Sequence, residues 1–479
     1  MSEQEGVTIK KDENFSDWYT EVVLKSKLAD YAPMKGFIVF MPYSYSIWEN
    51  IVKFVDEKIK KLGHKNAYFP CLIPESFLKK EAQHFEGFVP EAFVVTRSGD
   101  NKLSENLIVR PTSETIMYYS YAKWIRSWRD LPLLLNQWNT VLRAEIKITK
   151  PFIRTSEFLW QEGHTAHATK EGADEETMKI LMIYKELVEK YLAIPVFIGR
   201  KTEMEKFAGA LYTNSMEAMM PDGKALQAGT THNLGQNFAK AFDIEFLDKD
   251  GKKKYVWQTS WAVTSRLIGA LVMVHGDDKG LVVPPKIAPI HVVIVPINFQ
   301  SNPKVLQEAK KIKESLEKEG YVVELDDREE YTPGWKFNEW ELKGVPIRVE
   351  IGPKDVDKDQ VILVRRDTSE KKAVKIANVE KYVETLLEDI QNNLFNKAKK
   401  FLDNNITEVK SNEEFKKSIE EKKGFIKINW CNTRECEEKI KEDTGATSRF
   451  IPFENEKTRG KCVYCGKEAK VVTYFARSY

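Results

Sequence analysis

The segment RAEIKITKPFIRTSEFLWQEGH, residues 143–164, decides the predicted fold of the first half of the chain. It predicts a hairpin-like pair of strands joined by a polar loop around residues 147–150, with Pro151 where no ladder N–H is needed. Side chains alternate faces along a strand, so residues of equal parity share a face. Arg143 and Glu145 share a face of the first strand. The matching face of the second strand carries Arg154, Phe158, Trp160, Glu162 and His164. Since burying several unpaired charges is costly, this mixture of charges and flat rings predicts a ligand-binding surface.

The alternative is a solvated sheet face with two Arg–Glu pairs. A resemblance favours the ligand-binding interpretation. The pattern R-x-E, a loop, then R-x-x-x-F resembles motif 2 of class II aminoacyl-tRNA synthetases, and RTSEFLWQEGHTAH at 154–167 resembles its prolyl-tRNA synthetase version. The resemblance implies a catalytic domain built on an antiparallel sheet.

Length and composition limit the number of domains and the kinds of partner that the chain can have. A chain of 479 residues is too long for one core and fits two to four domains. With 74 Lys and Arg against 72 Asp and Glu, the net charge of +2 predicts that any RNA binding is local. No run of about 18 apolar residues is present, and the N-terminus is polar with acids, so we expect a cytoplasmic protein that does not enter a membrane.

Two further segments precede the hairpin. Gly63 followed by Pro70 resembles motif 1, through which class II synthetases form homodimers. After Pro111, Thr112 or Ser113 could simply cap a helix, with Glu114 in its first turn. The RPTSE segment also resembles the amino-acid pocket of the prolyl-tRNA synthetase family, which implies that Thr112 and Glu114 hold the imino nitrogen of proline.

Two segments follow the hairpin. KALQAGTTHNLGQNF, residues 224–238, resembles the family's substrate-pocket strand, which implies that Gln227 faces the nucleotide. Arg266 opens a predicted helix that resembles motif 3, whose arginine meets ATP; the alternative is an exposed helix arginine. About sixty residues separate His164 from Gln227, too few for an inserted editing domain. The chain therefore resembles the archaeal or eukaryotic type of the family.

The resemblance implies a role for each residue of the site. Arg143 would bind the ATP α-phosphate and the substrate carboxylate, and Arg154 and Arg266 the β- and γ-phosphates. Arg143 and Arg266 are the predicted catalytic residues. The remaining predicted ATP-binding residues are Glu145 at the adenine amino group, Phe158 stacked on the ring, Gln227 and Thr230. The remaining predicted proline-binding residues are Trp160, Glu162, His164, Thr230, His232 and Ser260.

The second half predicts two more domains. VVPPKIAP, residues 282–289, is a proline-rich linker. Alternating strands and helices after it predict an α/β domain with a mixed sheet. The segment GWKFNEWELKGVPIRVEIGPKD resembles the anticodon-binding domain of class IIa synthetases, which implies that Glu341, Arg348 and Asp355 read the two guanines of the proline anticodon.

Four of the five cysteines form two close pairs: Cys431-x4-Cys436 and Cys462-x2-Cys465. In a reducing compartment this spacing predicts a structural zinc site, whereas disulfides would need an oxidising compartment. Cys71 is predicted to be buried. The final Tyr479 resembles a family terminus that folds back toward the active site.

The sequence thus predicts a multidomain α/β and α+β protein. Its predicted domains are a catalytic domain at 1–285, an anticodon-binding domain at 286–400 and a zinc-binding domain at 401–479. The resemblance implies attachment of proline to tRNA(Pro) through prolyl-adenylate, with Mg²⁺ accompanying ATP and a homodimer as the assembly. The alternatives are a class IIa synthetase for another amino acid, such as threonine, and a non-catalytic paralogue that binds RNA.

Overall fold

The computed structural model describes residues 6–77, 92–144, 148–422, 424–454, 458 and 460–479. A mixed α/β fold confirms the predicted fold class, and eleven of the strands formed by the described residues join one large sheet. The described residues of the first half of the chain form the strands β1 Ala29–Tyr31, β2 Ile38–Phe40, β3 Lys65–Asn66, β4 Leu72–Pro74, β5 Val94–Ser98, β6 Asn101–Val109, β7 Leu133–Leu142, β8 Glu157–His167, β9 Val196–Arg200, β10 Tyr212–Met219, β11 Ala225–Gly235, β12 Glu245–Leu247, β13 Lys253–Tyr255 and β14 Trp257–Thr264.

The second half adds five strands of a separate sheet and four strands near the C-terminus. These are β15 Val292–Pro296, β16 Val323–Leu325, β17 Ile347–Ile351, β18 Gln360–Arg365, β19 Lys371–Lys375, β20 Ile406–Glu408, β21 Phe425–Trp430, β22 Thr447–Pro452 and β23 Val471–Ala476. The helices are Phe15–Lys25, Pro42–Lys61, Glu114–Trp124, Lys170–Glu186, Asn237–Ala241, Arg266–His275, Pro303–Lys318, Pro333–Leu342, Pro353–Asp357, Val379–Asn404, Asn412–Glu420 and Arg434–Thr444.

The large sheet runs in the order β20-β21-β23-β22-β9-β10-β11-β14-β8-β7-β3. Its middle strands, β10, β11, β14, β8 and β7, pair antiparallel along most of their length. The helices Pro42–Lys61, Lys170–Glu186 and Arg266–His275 contribute apolar residues to the main core with that sheet. The face opposite this core is therefore left for the polar side chains of the site.

The predicted hairpin is present as β7 and β8, but Arg143 and Arg154 both lie outside its two strands. β7 ends at Leu142 and pairs with β8 from Leu142↔Glu157 to Leu133↔Ala166, so Arg143 follows the strand. Arg154 is also outside the strand, in a turn closed by a Lys150↔Arg154 bridge. Phe152 has a φ of 59° in that turn, so strand parity does not apply to Arg154. Parity holds from Phe158 onward.

The predicted proline-rich linker, residues 282–289, is packed against its surroundings. Val283 N donates to Gly344 O, and Pro285–Ile287 forms a 3₁₀ turn in which Ile287 is 1% exposed. The segment is packed between the first and second halves of the chain. The following domain has the sheet order β16-β15-β17-β18-β19, with β16, β15 and β17 parallel, which matches the predicted mixed sheet.

The C-terminal strands extend the catalytic sheet. Ile451 and Pro452 of β22 pair with Arg200 and Gly199 of β9. A Cβ at Gly199 would lie 2.4 Å from Ile451 O, so this junction requires glycine. The predicted third domain is therefore hydrogen-bonded to the first. Among the described residues, no helix is both long enough and apolar enough to cross a membrane.

Candidate active site

A cavity of about 740 Å³ lies over strands β8, β14 and β11. Strand register places its side chains in rows: His164, Ser260 and His232 face one another across the three strands. The next row is Glu162, Ala262 and Thr230. Trp160 and Thr264 follow, and Arg266 comes directly after β14. Four residues along β8 span about 13 Å, so the histidines and Arg266 mark opposite ends of the cavity.

Three arginines line the cavity: Arg143, Arg154 and Arg266. Arg266 Nε donates to Ile153 O at 3.2 Å. Burial, reinforced by the charges of Arg143 and Arg154, lowers the pKa of Arg266 from 12.5 to about 10. Among the described carboxylates, none forms an ion pair with Arg154 or Arg266. The end of the cavity that holds these arginines is therefore suited to an anion.

Arg143 is held between aromatic rings. Its guanidinium carbon lies 5.5 Å from the centroid of Phe158 and 5.7 Å from that of Trp160, within the range of cation–π attraction. Its Nε donates to Pro111 O at 3.3 Å. Glu145, predicted to bind the adenine amino group, lies outside the described residues.

Glu162 and His164 form a buried pair, 2% and 1% exposed. Glu162 Oε1 accepts from Ser113, from Gln137 Nε2 at 3.1 Å and from Asn139 Nδ2 at 2.7 Å, while Oε2 lies 3.0 Å from His164 Nε2. Burial opposes ionisation of both groups, but their mutual bond and charges overcome it. The pKa of Glu162 is lowered and that of His164 is raised, so the pairing favours the charged form of both groups.

The RPTSE segment, residues 110–114, leads into a helix and also contributes side chains to the cavity. Ser113 occupies the N-cap position of helix Glu114–Trp124, but its side chain makes no capping bond. The Ser113 hydroxyl donates to Glu162 instead, and the Thr112 hydroxyl donates to Glu114. Thr112 and Glu114 are 6% and 4% exposed and both line the cavity. The capping prediction is therefore wrong for the side chains, which serve the pocket.

His232 is the uncharged histidine of the pocket. Its Nδ1 lies 2.8 Å from Thr213 Oγ1 and its Nε2 lies 3.1 Å from Thr230 Oγ1. Burial and the nearby charge of His164 lower the pKa of His232 to about 3. Between the two histidines, Ser260 Oγ is buried without a hydrogen-bond partner among the described residues. That hydroxyl can bond a ligand.

Gln227 reaches the cavity because of a β-bulge. The register of β10 with β11 shifts between Met216↔Gly229 and Glu217↔Gln227, which leaves Ala228 as the extra residue. A bulge changes which face the following side chains occupy. Gln227 and Thr230 therefore line the same cavity despite their opposite parity.

Sequence reasoning missed several residues of the cavity. Glu205 and Phe207 come from the loop between β9 and β10, where no periodicity exists to reveal them. Gln137 and Asn139, which bond Glu162, alternate along β7 and could have been found from that strand pattern. Tyr118 also supports the site, because its hydroxyl lies 3.1 Å from His164 Nδ1.

Glu114, Glu162 and His164 could geometrically hold a metal ion, since one ligand atom from each lies within 4.8 Å of the others. Their bonding favours a different use. Glu162 Oε1 already accepts three hydrogen bonds, and His164 Nε2 bonds Glu162 directly. These atoms already have hydrogen-bond partners, so they are not arranged as the ligands of a metal ion.

Two of the three predicted anticodon residues lie together, and the third lies apart from them. Glu341 and Arg348 line one small depression of the second domain. Arg348 lies over the Phe337 ring at 4.3 Å and donates to Glu350 Oε1 at 2.8 Å. Asp355 lies outside that depression and accepts from Gly352 N at 3.0 Å as a helix cap. Its role in base recognition stays a prediction.

The four predicted cysteine ligands form one cluster. Their sulfurs lie within 4.8 Å of one another, with Cys431 and Cys465 at 3.5 Å and Cys436 and Cys462 at 3.9 Å. A disulfide needs about 2.05 Å. Tetrahedral zinc with Zn–S near 2.3 Å needs about 3.8 Å between sulfurs. The donor set and its spacing fit zinc.

Two other sequence predictions concern Cys71 and Tyr479. Cys71 is exposed, so the prediction that it is buried is wrong. It follows β3 at the sheet edge, near Tyr68, which is 71% exposed. Tyr479 N donates to Ala225 O, at the start of the strand that carries Gln227, and its hydroxyl donates to Asp222 Oδ2 at 2.7 Å. The C-terminus thus lies beside a strand of the cavity.

Three family models match the chain in succession. They are described as tRNA synthetase class II core domain (G, H, P, S and T) at residues 93–275, anticodon binding domain at 291–386, and prolyl-tRNA synthetase, C-terminal, at 412–479. Similar full-length proteins include the proline–tRNA ligase of Natranaerobius thermophilus, 57% identical over 98% of this chain and 97% of that protein. The proline–tRNA ligase of Alkaliphilus oremlandii is 56% identical over 97% and 96%. Proline–tRNA ligase 2 of Clostridioides difficile is 54% identical over 98% and 97%.

Proposed function

The chain belongs to the proline–tRNA ligase family, and from this premise we propose that its cavity makes prolyl-adenylate from L-proline and ATP and transfers the prolyl group to tRNA(Pro). One observation carries the proposal. A single cavity has arginines at one end and a closed set of hydrogen-bonding and aromatic side chains at the other. That arrangement accommodates a polyanion beside a small apolar ring.

The arginine end suits ATP. Arg143 is assigned to the α-phosphate and the proline carboxylate, and Arg154 and Arg266 to the β- and γ-phosphates. Guanidinium groups keep their charge in a buried site and form paired bonds to phosphate. Phe158 offers a ring face for adenine, Gln227 and Thr230 face the nucleotide, and Glu145 is assigned to the adenine amino group. Mg²⁺ would accompany ATP and offset part of its phosphate charge, and such a site needs few protein ligands.

The other end suits proline. Thr112 and Glu114 are assigned to the secondary ammonium, which has two N–H donors for the carboxylate and hydroxyl oxygens. Trp160 supplies an aromatic wall. The remaining polar groups that surround the ring are Glu162, His164, Thr230, His232 and Ser260. Because Glu162 and His164 neutralise each other, they shape the pocket without attracting a second charge.

The chemistry needs positioning and charge stabilisation. The proline carboxylate attacks the α-phosphorus of ATP, pyrophosphate leaves, and a terminal ribose hydroxyl of tRNA then attacks the prolyl carbonyl and releases AMP. Arg143 stabilises the charge that develops on the α-phosphate, and Arg266 stabilises the departing pyrophosphate. No covalent intermediate with the enzyme is required.

Proline-dependent exchange of labelled pyrophosphate into ATP tests the proposal. We expect exchange to be fastest with proline among the twenty amino acids at equal concentration. No exchange with proline but exchange with a different amino acid would identify a class IIa synthetase of other specificity. Absence of exchange with all twenty would indicate a non-catalytic paralogue.

The Cys431, Cys436, Cys462 and Cys465 cluster is proposed to hold structural zinc, with no position left open for catalysis. Residues 291–386 are proposed to bind the tRNA anticodon through Glu341, Arg348 and Asp355, and the cytoplasm is the proposed location.

A homodimer is proposed at the sheet edge beyond β3. Three exposed apolar side chains near this edge support it: Tyr68, Leu72 and Trp124, which are 71%, 38% and 51% exposed. Light scattering of the native protein and of Tyr68→Glu tests the dimer.

A further inference from the structure

The loop of residues 201–211, between β9 and β10, forms part of the amino-acid end of the cavity. Its residues Glu205 and Phe207 line the cavity. The Phe207 ring lies 4.8 Å from the His232 ring, and Phe207 N donates to Thr213 Oγ1 at 3.0 Å. Because His232 is in the proposed proline pocket, the path of this loop determines the shape of that pocket.

The first turn of this loop is fastened to the C-terminal domain. Thr202 Oγ1 donates to Glu437 Oε1 at 2.8 Å, and the Ser448 hydroxyl donates to the same oxygen. Glu205 N in turn donates to Thr202 Oγ1 at 3.3 Å. Thr202, Glu437 and Ser448 are 3%, 2% and 1% exposed. A chain of buried hydrogen bonds therefore leads from Glu437 to a cavity residue.

A second buried link begins one residue earlier. Lys201 Nζ lies 2.8 Å from Glu217 Oε1, and Arg449 Nη2 lies 2.8 Å from Glu217 Oε2. Glu217 is the β10 partner of Gln227, which lines the nucleotide end of the cavity. The C-terminal domain thus holds both the start of the loop and the strand behind it.

We propose that Thr202, Glu437 and Ser448 are positioning residues through which the C-terminal domain fixes the loop 201–211 against the proline pocket. The inference rests on the proposed function, since it concerns the affinity of the same cavity for proline. None of the three residues lines the cavity, so their effect passes through Glu205 and Phe207. Loss of the anchor should weaken proline binding and leave ATP binding nearly unchanged.

The test compares Thr202→Val with Thr202→Ser in the full-length protein. Valine removes the hydroxyl at nearly constant shape, whereas serine keeps it. In pyrophosphate exchange, Thr202→Val should raise KM for proline about fivefold, the effect of losing one net hydrogen bond. KM for ATP should stay within about twofold of the native value, and Thr202→Ser should restore KM for proline.

Thr473→Val is the matched control. Thr473 is fully buried in β23, and its hydroxyl donates to Phe450 O at 3.0 Å without reaching the loop. It should lower Tm without changing KM for proline. Ser448→Ala, which removes the second donor to Glu437, keeps the test available if Thr202→Val does not fold, and should also raise KM for proline selectively.

The anchor should also be cooperative. Thr202→Val and Ser448→Ala act on one oxygen of Glu437, so their combined effect on KM for proline should differ from the product of the single effects. An unchanged KM for proline in both folded variants, or an equal rise in KM for proline and ATP, would overturn the inference. Absence of exchange in the native protein would instead refute the proposed function.

Discussion

The Glu162–His164 pair allows a pH-dependent prediction. In Glu162→Gln, the charged partner of His164 is replaced by a neutral amide of nearly the same size. The three donors to Glu162 Oε1 can keep an acceptor oxygen, so the main loss is the charged bond to His164 Nε2 at 3.0 Å. A hydrogen bond to a charged group contributes about 1.5–3 kcal/mol. One pKa unit corresponds to about 1.36 kcal/mol, so the pKa of His164 should fall by about one to two units.

The native pKa of His164 is raised above 6.5, because the bond to Glu162 and the charges of Glu114 and Glu162 overcome burial. The charged form of His164 therefore stabilises the folded protein below pH 6.5, and this stabilisation is lost as pH rises through the raised pKa. Glu162 has the opposite sign. Its lowered pKa gives stability that is present above pH 4.5 and lost as pH falls through the lowered value.

The assay is the pH dependence of kcat/KM for proline in pyrophosphate exchange, supported by NMR titration of His164. Native protein should show an inflection above pH 6.5 that moves about one to two units lower in Glu162→Gln. Glu176→Gln is the matched control, since Glu176 pairs with buried His64 at 2.8 Å and lies outside the cavity. It should lose stability without moving the inflection. An inflection that stays in place in Glu162→Gln would refute the pairing as the cause.

Three further predictions concern other parts of the chain. Arg154→Ala should raise KM for ATP about 10- to 100-fold, as expected for loss of a charged hydrogen bond, with KM for proline unchanged; an equal rise in both would contradict the assignment. Metal analysis should find one zinc per chain, with Cys462→Ser losing the metal and lowering Tm, and native protein free of zinc would exclude the site. Arg348→Ala should raise KM for tRNA(Pro) in aminoacylation and leave pyrophosphate exchange intact, whereas reduced exchange would show that the variant damages the fold.

The sequence predicted best where one strand continues without interruption. Phe158, Trp160, Glu162 and His164 share a face because β8 is regular across all four. Parity failed for Arg154, which lies in a turn, and did not apply to Gln227, which a bulge turns into the cavity. Both arrangements depend on local backbone geometry that strand periodicity does not contain.

Long-range pairing was the second limit. The sheet joins β9 to β22, although about 250 residues separate them along the chain. No local pattern in either strand specifies this partner, because each would satisfy its hydrogen bonds equally well with another edge strand. The anchoring of the loop 201–211 by Glu437 depends on that pairing and was invisible for the same reason. Exposure of Cys71 likewise depends on which surfaces the fold leaves uncovered.

The arginine cluster links the stability of the fold to its ligand. Arg143 and Arg154 lower the pKa of buried Arg266, so the three charges oppose one another. Described carboxylates form no ion pair with Arg154 or Arg266. The carbonyls of Ile153 and Gln227, which accept from the Arg266 guanidinium, carry no net charge to neutralise it. Without an anionic ligand, the repulsion among these arginines lowers the stability of the folded protein. The triphosphate of the proposed substrate ATP would supply negative charge, so its binding should relieve the repulsion among the three arginines.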